Sequence, residues 1–219
     1  MRIDIVCVKP EILSSPFYHS VIKKAINKGY IDIIIHDLKE YGLGKYKKID
    51  DYPYGGGSGM VIRIEPVDQC FSKLLSKRNY DEIIFMTPDG DLFSQKYAKY
   101  LIKKKNIIIL CGRYKGIDQR IRDHLISKEI SIGKYILSGG ELASAILVDT
   151  LVRLLPGVIK NKESILTDSF QKESNFISPP IYTRPVIYKG WKVPNILLSG
   201  HHKKIKHWLE EMEQLQKIK

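Results

Sequence analysis

Short apolar segments of strand length alternate with segments of helical pattern over most of the chain. We predict strands at 2–8, 31–36, 82–87, 106–110 and 129–132, and helices at 10–27, 66–77, 94–104, 117–126 and 141–155. The segment 106–110 is apolar almost throughout, which is typical of a parallel strand buried on both faces. This alternation predicts an α/β domain built on a parallel sheet.

Proline and glycine mark the expected interruptions of this pattern. Pro16 is expected to break or offset the first turn of helix 10–27, and Pro66 suits the first turn of helix 66–77. The tripeptide 88–90, Pro-Asp-Gly, predicts a turn that ends strand 82–87. Residues 37–62, rich in Gly, Tyr and Lys, are expected to form a long loop.

Composition excludes several classes of protein. The 219 residues suit one domain, or one domain with a small appendage. No run approaches the roughly 20 apolar residues that span a bilayer, and the first segment carries Arg2 and Asp4, which excludes a secretory signal. Three widely spaced cysteines argue against a disulfide framework or a structural zinc site. These features predict a cytoplasmic protein.

The charge balance is strongly basic. Lys and Arg number 36 against 24 Asp and Glu, for a formal net charge of +12. Such a balance favours a polyanionic partner, most often nucleic acid. The alternative is a composition effect, because an AT-rich genome enriches Lys, Ile, Asn and Tyr without selection for binding.

The pattern changes after about residue 158. Residues 160–180 are polar and end in two prolines, which predicts a linker. A final helix is predicted at 201–217, where apolar residues recur at helical spacing: Ile205, Trp208, Leu209, Met212 and Leu215.

Two glycine-rich stretches invite a ligand-binding interpretation. The stretch 55–59 (GGGSG) matches neither the P-loop nor the dinucleotide fingerprint, since Met60 stands at the third glycine position. It is either a flexible turn or a loop whose backbone approaches a ligand, which glycine permits. Gly139 and Gly140 precede a helix and allow the same two interpretations.

Six motifs in a fixed order are more specific than any one of them. They are DDYPYGGGSGM at 50–60, LCGRYKGID at 110–118, SIGKYILSGGEL at 131–142, DSF at 168–170, YTRP at 182–185 and LLSGH at 197–201. In this order and spacing they resemble the bacterial tRNA (guanine-37-N1)-methyltransferase family, TrmD. The resemblance covers essentially residues 1–209.

The resemblance implies a SPOUT-class α/β methyltransferase. In that class a parallel sheet carries a deep trefoil knot toward its C-terminal side, and the knot holds S-adenosylmethionine. Motif matching puts the knot loops at 86–90, 110–116 and 132–142. The implied donor-binding residues are Met86, Thr87, Pro88, Gly112, Tyr114, Ile132, Gly133, Tyr135, Leu137, Gly139 and Gly140.

The resemblance also implies how the chain is organised. It predicts a catalytic domain over 1–159, an interdomain linker over 160–180 and a small, shortened helical domain over 181–219 that binds tRNA. The family works as a homodimer whose active sites are shared between subunits. The implied substrate-binding residues are Asp50, Gly55, Gly59, Arg184, Lys203 and Lys204.

The implied chemistry assigns roles to two side chains. N1 of guanine carries a proton, and its removal places negative charge largely on O6. By motif matching, Asp168 acts as the general base and Arg153 stabilises the charge at O6. Taken alone, Asp168 fits a helix cap and Arg153 an ordinary ion-pairing residue. A sulfonium donor needs no metal, so no metal ligand is assigned, and a role for Mg²⁺ is left open.

The sequence departs from the family pattern at several places. Lys115 and Lys134 stand where acidic residues are usual, the segment 171–180 differs from the usual linker, and the chain ends at Lys219 soon after the Trp208 helix. These departures keep two alternatives open. One is a non-catalytic RNA-binding relative, and the other is a knotted methyltransferase acting on another RNA position.

Overall fold

A computed structural model describes residues 1–161, 166–171 and 177–216. The chain divides into two compact units, residues 1–160 and residues 161–219. The residues of the predicted linker numbered 162–165 and 172–176, and the last three residues of the chain, lie outside the described part.

The elements of the described residues follow in chain order. The strands are β1 (Arg2–Cys7), β2 (Asp32–Asp37), β3 (Asp50–Asp51), β4 (Val61–Ile62), β5 (Glu82–Leu92), β6 (Asn106–Cys111), β7 (Lys128–Ser131), β8 (Ile187–Tyr188) and β9 (Trp191–Lys192). The helices are α1 (Glu11–Phe17), α2 (Ser20–Asn27), α3 (Ile64–Leu75), α4 (Gln95–Leu101), α5 (Gln119–Leu125), α6 (Glu141–Leu154), α7 (Asn195–Leu198) and α8 (His202–Gln216), with a 3₁₀ helix at Leu38–Tyr41.

A five-stranded parallel sheet of order β2-β1-β6-β5-β7 organises the first unit. This confirms the predicted α/β class. Alternate side chains of the central strands enter two separate cores. Ile5 and Ile109 lie in the core covered by α1, α2, α4 and α6, whereas Val6 and Ile108 lie in the core covered by α3 and α5. Both faces of the sheet are therefore buried, which explains the continuous apolar run in β6.

The predicted helix at 10–27 is wrong in detail, because two helices occupy it. Pro16 lies inside α1, and the break falls after Phe17 instead of in the first turn. His19 has an extended backbone and is the N-cap of α2, and Ser20, the first residue of the helix, has a positive φ of 54°. The chain thereby changes direction while both helices keep apolar residues, Leu13 and Ile22, in the same core.

The predicted turn at 88–90 does not end its strand. Met86 and Asp91 both pair with Ile130 of β7, so the four residues between them bulge out and β5 resumes to Leu92. The predicted loop at 37–62 also contains regular structure. It holds the 3₁₀ helix and the antiparallel pair β3–β4, whose connection is the glycine-rich stretch.

The second unit is described by itself. It contains the β8–β9 hairpin, the short α7 and the longer α8. Tyr182 packs near Trp208 of α8, with ring centroids 6.5 Å apart. Across the ranges that the structure describes, no helix is both long enough and apolar enough to cross a membrane.

One charged side chain is fully buried at the sheet. Asp4 of β1 accepts hydrogen bonds from Arg2 at 2.7 and 2.9 Å and from the Tyr80 hydroxyl at 2.8 Å, and its Oδ1 lies 2.7 Å from His36 Nε2. Burial opposes ionisation of this carboxyl, but the hydrogen bonds from His36, Arg2 and Tyr80 outweigh it and hold the pKa of Asp4 well below its usual range. The network joins β1 to β2 and to the segment before β5.

We expect Asp4→Asn to lower the free energy of unfolding by roughly 1.5–3 kcal/mol at pH 7, since hydrogen bonds to a charged group are lost. Because the pKa of Asp4 is lower in the folded state than in the unfolded state, its ionised carboxylate stabilises the fold. This contribution is fully present above the ordinary pKa of about 3.9, and it is lost as the pH falls toward the folded-state pKa. Urea unfolding of both proteins at pH 7 and pH 3 checks this. The difference between them should shrink at pH 3, and a difference independent of pH would contradict the account.

Candidate active site

A cavity of about 600 Å³ opens at the carboxyl ends of β6 and β7, beside the bulge in β5. Ligands of parallel α/β proteins bind at this edge, because the strands end there and the loops that follow are free to vary. Three stretches supply most of the wall, at 85–89, 112–117 and 130–140. A cavity of this size is suited to a small organic ligand.

The bulge in β5 forms one wall of the cavity. The hydroxyl of Thr87 donates a hydrogen bond to Asp89, and Arg122 Nη2 donates to the other Asp89 oxygen at 2.8 Å. These two contacts hold the pKa of Asp89 below its usual range. Arg122 also binds Glu129 of β7 through Nε at 2.7 Å and lies over the Phe85 ring. The Arg122 guanidinium thus fixes the bulge to the neighbouring strand.

Glycines let the start of α6 approach the end of β6. The amide of Gly140 donates to the Gly112 carbonyl at 2.8 Å. A Cβ on Gly140 would lie 2.9 Å from Cys111 Cα and 3.0 Å from the Gly112 nitrogen, both of them backbone atoms. A Cβ on Gly112 would lie 2.9 Å from the Phe85 ring. These positions therefore require glycine for space, and the cavity wall there is largely backbone.

An ion pair behind the cavity connects the same two loops. Arg113 Nη1 lies 3.4 Å from Glu141 Oε1, and the Glu141 side chain is almost fully buried. Glu141 is in the first turn of α6, where the helix dipole favours a negative charge. The pair supports the arrangement in which Arg113 and Gly139 form an isolated antiparallel bridge.

The glycine-rich hairpin loop is attached to the cavity rim. The amide of Lys115 donates to the Met60 carbonyl at 3.0 Å, and the amide of Ile62 donates to the Gly116 carbonyl at 3.0 Å. Asp50 of β3 interacts with the hydroxyl of Tyr114, and burial together with this carboxylate raises the pKa of Tyr114. The structure therefore places Asp50 beside a residue of the cavity wall.

All eleven residues that the motifs assigned to the donor line this one cavity. The predicted substrate residues Gly55 and Gly59 lie on the attached hairpin loop with φ of 82° and 94°. Gly59 contacts the rim directly, since a Cβ there would lie 2.8 Å from Lys115 Cγ. Lys134 is exposed on the loop that carries Gly133.

The two predicted catalytic residues lie elsewhere in the chain. Arg153 is exposed in the last turn of α6. It stands twelve positions after Glu141 along the helix, which puts it about 18 Å from the cavity end of α6. Asp168 belongs to the second unit, in a stretch held by Ser178, whose amide donates to Ser169 Oγ at 2.9 Å and whose hydroxyl donates to the Thr167 carbonyl at 2.6 Å.

The remaining predicted substrate residues are exposed in the second unit. Arg184 precedes the cis-proline Pro185, and Lys203 and Lys204 lie in the first turn of α8. Their exposed cationic groups fit contact with phosphates.

Sequence reasoning assigned no role to several charged residues of the site. Asp89, Arg113 and Arg122 line the cavity, and Glu141 pairs with Arg113. Lys115, which the sequence singled out as a departure from the family pattern, also lines the cavity. Position within the quoted motifs was the available signal for Arg113 and Glu141. Arg122 lies outside the motifs, and its partner Asp89 is 33 positions away. Among the described side chains, no group of three or more His, Cys, Asp or Glu is arranged to hold a metal ion.

The fold and the cavity together define an α/β protein with a cavity of ligand size at the carboxyl edge of its parallel sheet. The chain belongs to the tRNA (guanine-1)-methyltransferase TrmD family, whose model matches residues 1–219.

Relatives of this family are similar to the chain over nearly their full length. A tRNA (guanine-N(1)-)-methyltransferase of Azobacteroides pseudotrichonymphae is 58% identical over 208 residues, which cover 95% of this chain and 93% of that protein. Proteins of the same name from Christiangramia forsetii and Bacteroides thetaiotaomicron are 57% and 54% identical over 210 and 219 residues. Those matches cover 96% and 100% of this chain, and 92% and 96% of the relatives.

We expect Gly140→Ala to destabilise the first unit by about 1–3 kcal/mol, because the new methyl group pushes α6 away from β6. Displacement of the cavity wall should also weaken binding of a methyl donor in this cavity at least about tenfold, or 1.4 kcal/mol. Urea unfolding and calorimetric titration measure the two effects.

Gly42→Ala is the matched control for this variant. Its Cβ would also meet backbone, at 2.1 Å from the Lys47 carbonyl oxygen, but Gly42 lies outside the cavity wall. Gly42→Ala should lower the free energy of unfolding and leave the affinity for the donor unchanged. Equal loss of donor affinity in both variants would contradict the assignment of the Gly112–Gly140 contact to the ligand cavity.

Proposed function

We propose that this protein transfers a methyl group from S-adenosylmethionine to N1 of guanosine 37 in tRNA, next to the anticodon. The observation that carries the proposal is the convergence of eleven motif-matched residues on one cavity, in a chain of the tRNA (guanine-1)-methyltransferase TrmD family. The net charge of +12 agrees with a polyanionic substrate.

The cavity fits the methyl donor in size and chemistry. Its volume of about 600 Å³ lies within the range of pockets for ligands of that size. Met86, Thr87 and Pro88 would hold one side of the donor, and the glycine-rich loops at 112–116 and 132–140 the other. Where glycines line these walls, peptide N–H and C=O groups would be available to the polar edges of an adenosine. When bound, S-adenosylmethionine supplies a methyl group already activated by its sulfonium charge.

The chain's own residues carry the proton and charge chemistry of the proposed reaction. The carboxylate of Asp168 accepts the proton from guanine N1, which makes N1 nucleophilic. Arg153 donates hydrogen bonds to O6, where negative charge develops when that proton leaves. Asp50 and the 55–59 loop, attached to the cavity rim, position the base. A requirement for Mg²⁺ is tested by chelation in the same assay.

We further propose a homodimer with shared active sites. Arg153 lies about 18 Å from the cavity end of its own helix, too far to reach a base held there. The same helix exposes Leu142 and Ile146, 52% and 49% accessible, one turn apart. A second copy covering this face would bury the two apolar side chains and bring a partner's Arg153 to the cavity.

The proposal extends to the architecture and location of the protein. The loops at 86–90, 110–116 and 132–142 surround the cavity, as the loops of a deep trefoil knot of the SPOUT class would. The first unit would hold the donor and the second unit, with Arg184, Lys203 and Lys204, would bind tRNA. Such an enzyme would work in the cytoplasm, where its tRNA substrate is found.

We expect Asp168→Asn to reduce methyl transfer at least about a hundredfold, the lower range for loss of a general base. Donor affinity should stay within about twofold of the wild type, or 0.4 kcal/mol. Single-turnover transfer with saturating tRNA and calorimetric donor titration measure the two quantities. Loss of donor binding in this variant would contradict the base assignment.

With donor well below saturation, we expect an equal mixture of Gly140→Ala and Arg153→Ala chains, refolded or co-expressed, to be more active than either variant alone. If Arg153 serves the partner's cavity, half of the sites in each mixed dimer combine an intact cavity with an intact Arg153. Transfer assays on purified mixed dimers, tagged differently on each chain, check this. Mixed dimers no more active than their parents would contradict shared active sites.

A further inference from the structure

Two tyrosines are exposed on the loop that joins β3 to β4. Tyr52 directly follows β3 and is 77% exposed, and Tyr54, in a turn closed by the bond from the Gly56 amide to the Pro53 carbonyl, is fully exposed. Large aromatic side chains usually bury much of their area, since burial removes apolar surface from water. Two exposed rings so close on one loop indicate a surface that a partner covers.

The loop holds these rings beside the cavity. Its return strand is joined to the cavity wall by the 3.0 Å bonds from Lys115 to Met60 and from Ile62 to Gly116. Asp50, at the other end of the loop, interacts with Tyr114 of the wall. Both ends of the loop are therefore fixed to the rim, so the rings lie next to the place where a target base enters.

Cationic groups accompany the aromatic rings. Arg63 and Arg120 both lie within electrostatic range of the Tyr54 hydroxyl. Arg63 is oriented by Asp51 at 3.1 Å and Glu65 at 2.8 Å, and Arg120 by Asp118 at 2.7 Å. Aromatic faces next to ordered guanidinium groups are the usual means of binding single-stranded nucleic acid, because bases stack on the rings while cations meet the backbone.

We propose that Tyr52 and Tyr54 are positioning residues that stack on unpaired anticodon-loop bases flanking the target guanine. This inference rests on the proposed function and adds the way in which the loop holds its substrate. Unpaired bases expose both of their faces, whereas paired bases do not, so stacking on these rings selects a loop over a helical stem.

Tyr46 supplies a matched control. It is 81% exposed, but it lies in the turn between Leu43 and Lys48, at the opposite end of the segment that leads to Tyr52. A comparison of Tyr46→Ala with the Tyr52 and Tyr54 variants therefore separates the effect of losing any exposed ring from the effect of losing a ring beside the cavity.

The test measures binding of an anticodon stem-loop RNA, with guanosines at positions 36 and 37, to the full-length protein in the presence of S-adenosylhomocysteine. Tyr54→Ala and Tyr52→Ala should each weaken binding about fivefold to 150-fold, which corresponds to ~1–3 kcal/mol per stacked base. Tyr54→Phe should bind as the wild type does, because the ring remains. Tyr54→Leu should resemble Tyr54→Ala, and Tyr46→Ala should have no effect.

An RNA with abasic sites flanking position 37 completes a double-mutant cycle. It should bind the wild type more weakly and should show no further loss with Tyr54→Ala. The salt dependence of binding should be the same in the tyrosine variants, since they leave the phosphate contacts intact.

Two results would overturn the inference. One is unchanged binding in both alanine variants, and the other is equal rescue by leucine and phenylalanine. Methyl transfer by the wild type is measured separately. If the proposed function is wrong, transfer is absent although RNA binds normally. If this inference is wrong, transfer is normal and substitution of the tyrosines leaves RNA binding unchanged.

Discussion

The close contact between the start of α6 and the end of β6 is the constraint on which the rest of the site depends. The Gly140 amide donates to the Gly112 carbonyl at 2.8 Å, and at this distance a side chain on Gly140 would meet the backbone of Cys111 and Gly112. A side chain on Gly112 would meet the Phe85 ring. The hydrogen bond joins two of the loops that wall the cavity, and the buried Glu141 reinforces it by pairing with Arg113. The shape of this part of the cavity therefore depends on glycine at positions 112 and 140.

Arginines beside the cavity and the hairpin loop are held in ion pairs. Arg122 and Arg113 bind Asp89, Glu129 and Glu141, and they hold the cavity walls in position. Arg63 and Arg120, near the loop that carries the exposed tyrosines, pair with Asp51, Glu65 and Asp118. Under the proposed function, a substrate with both bases and phosphates would meet this ordered surface before its target base reaches the cavity, which would reduce the entropy cost of positioning it.

Much of the sheet could be predicted from the sequence because buried parallel strands leave long apolar runs, as in β6. The continuation of β5 to Leu92 could not be predicted, because the Pro-Asp-Gly sequence at 88–90 indicates the end of a strand. After the bulge, Asp91 pairs with Ile130, the residue that also pairs with Met86. The break between α1 and α2 after Phe17 could not be predicted either, because no glycine at the junction indicates it. Many of the residues that line the cavity could be found from the ordered motifs, whereas the contact of Arg122 with Asp89 joins positions 33 apart and depends on the folded chain.

The most direct test of the account is to map the methyl group. The protein is incubated with labelled S-adenosylmethionine and unmodified tRNA transcripts that carry guanosine at positions 36 and 37, and the modified base is identified by digestion and mass spectrometry. The account predicts methyl on N1 of guanosine 37, and none on a transcript with adenosine there. Methyl at another position, or no transfer by a folded protein that binds both tRNA and donor, would contradict it.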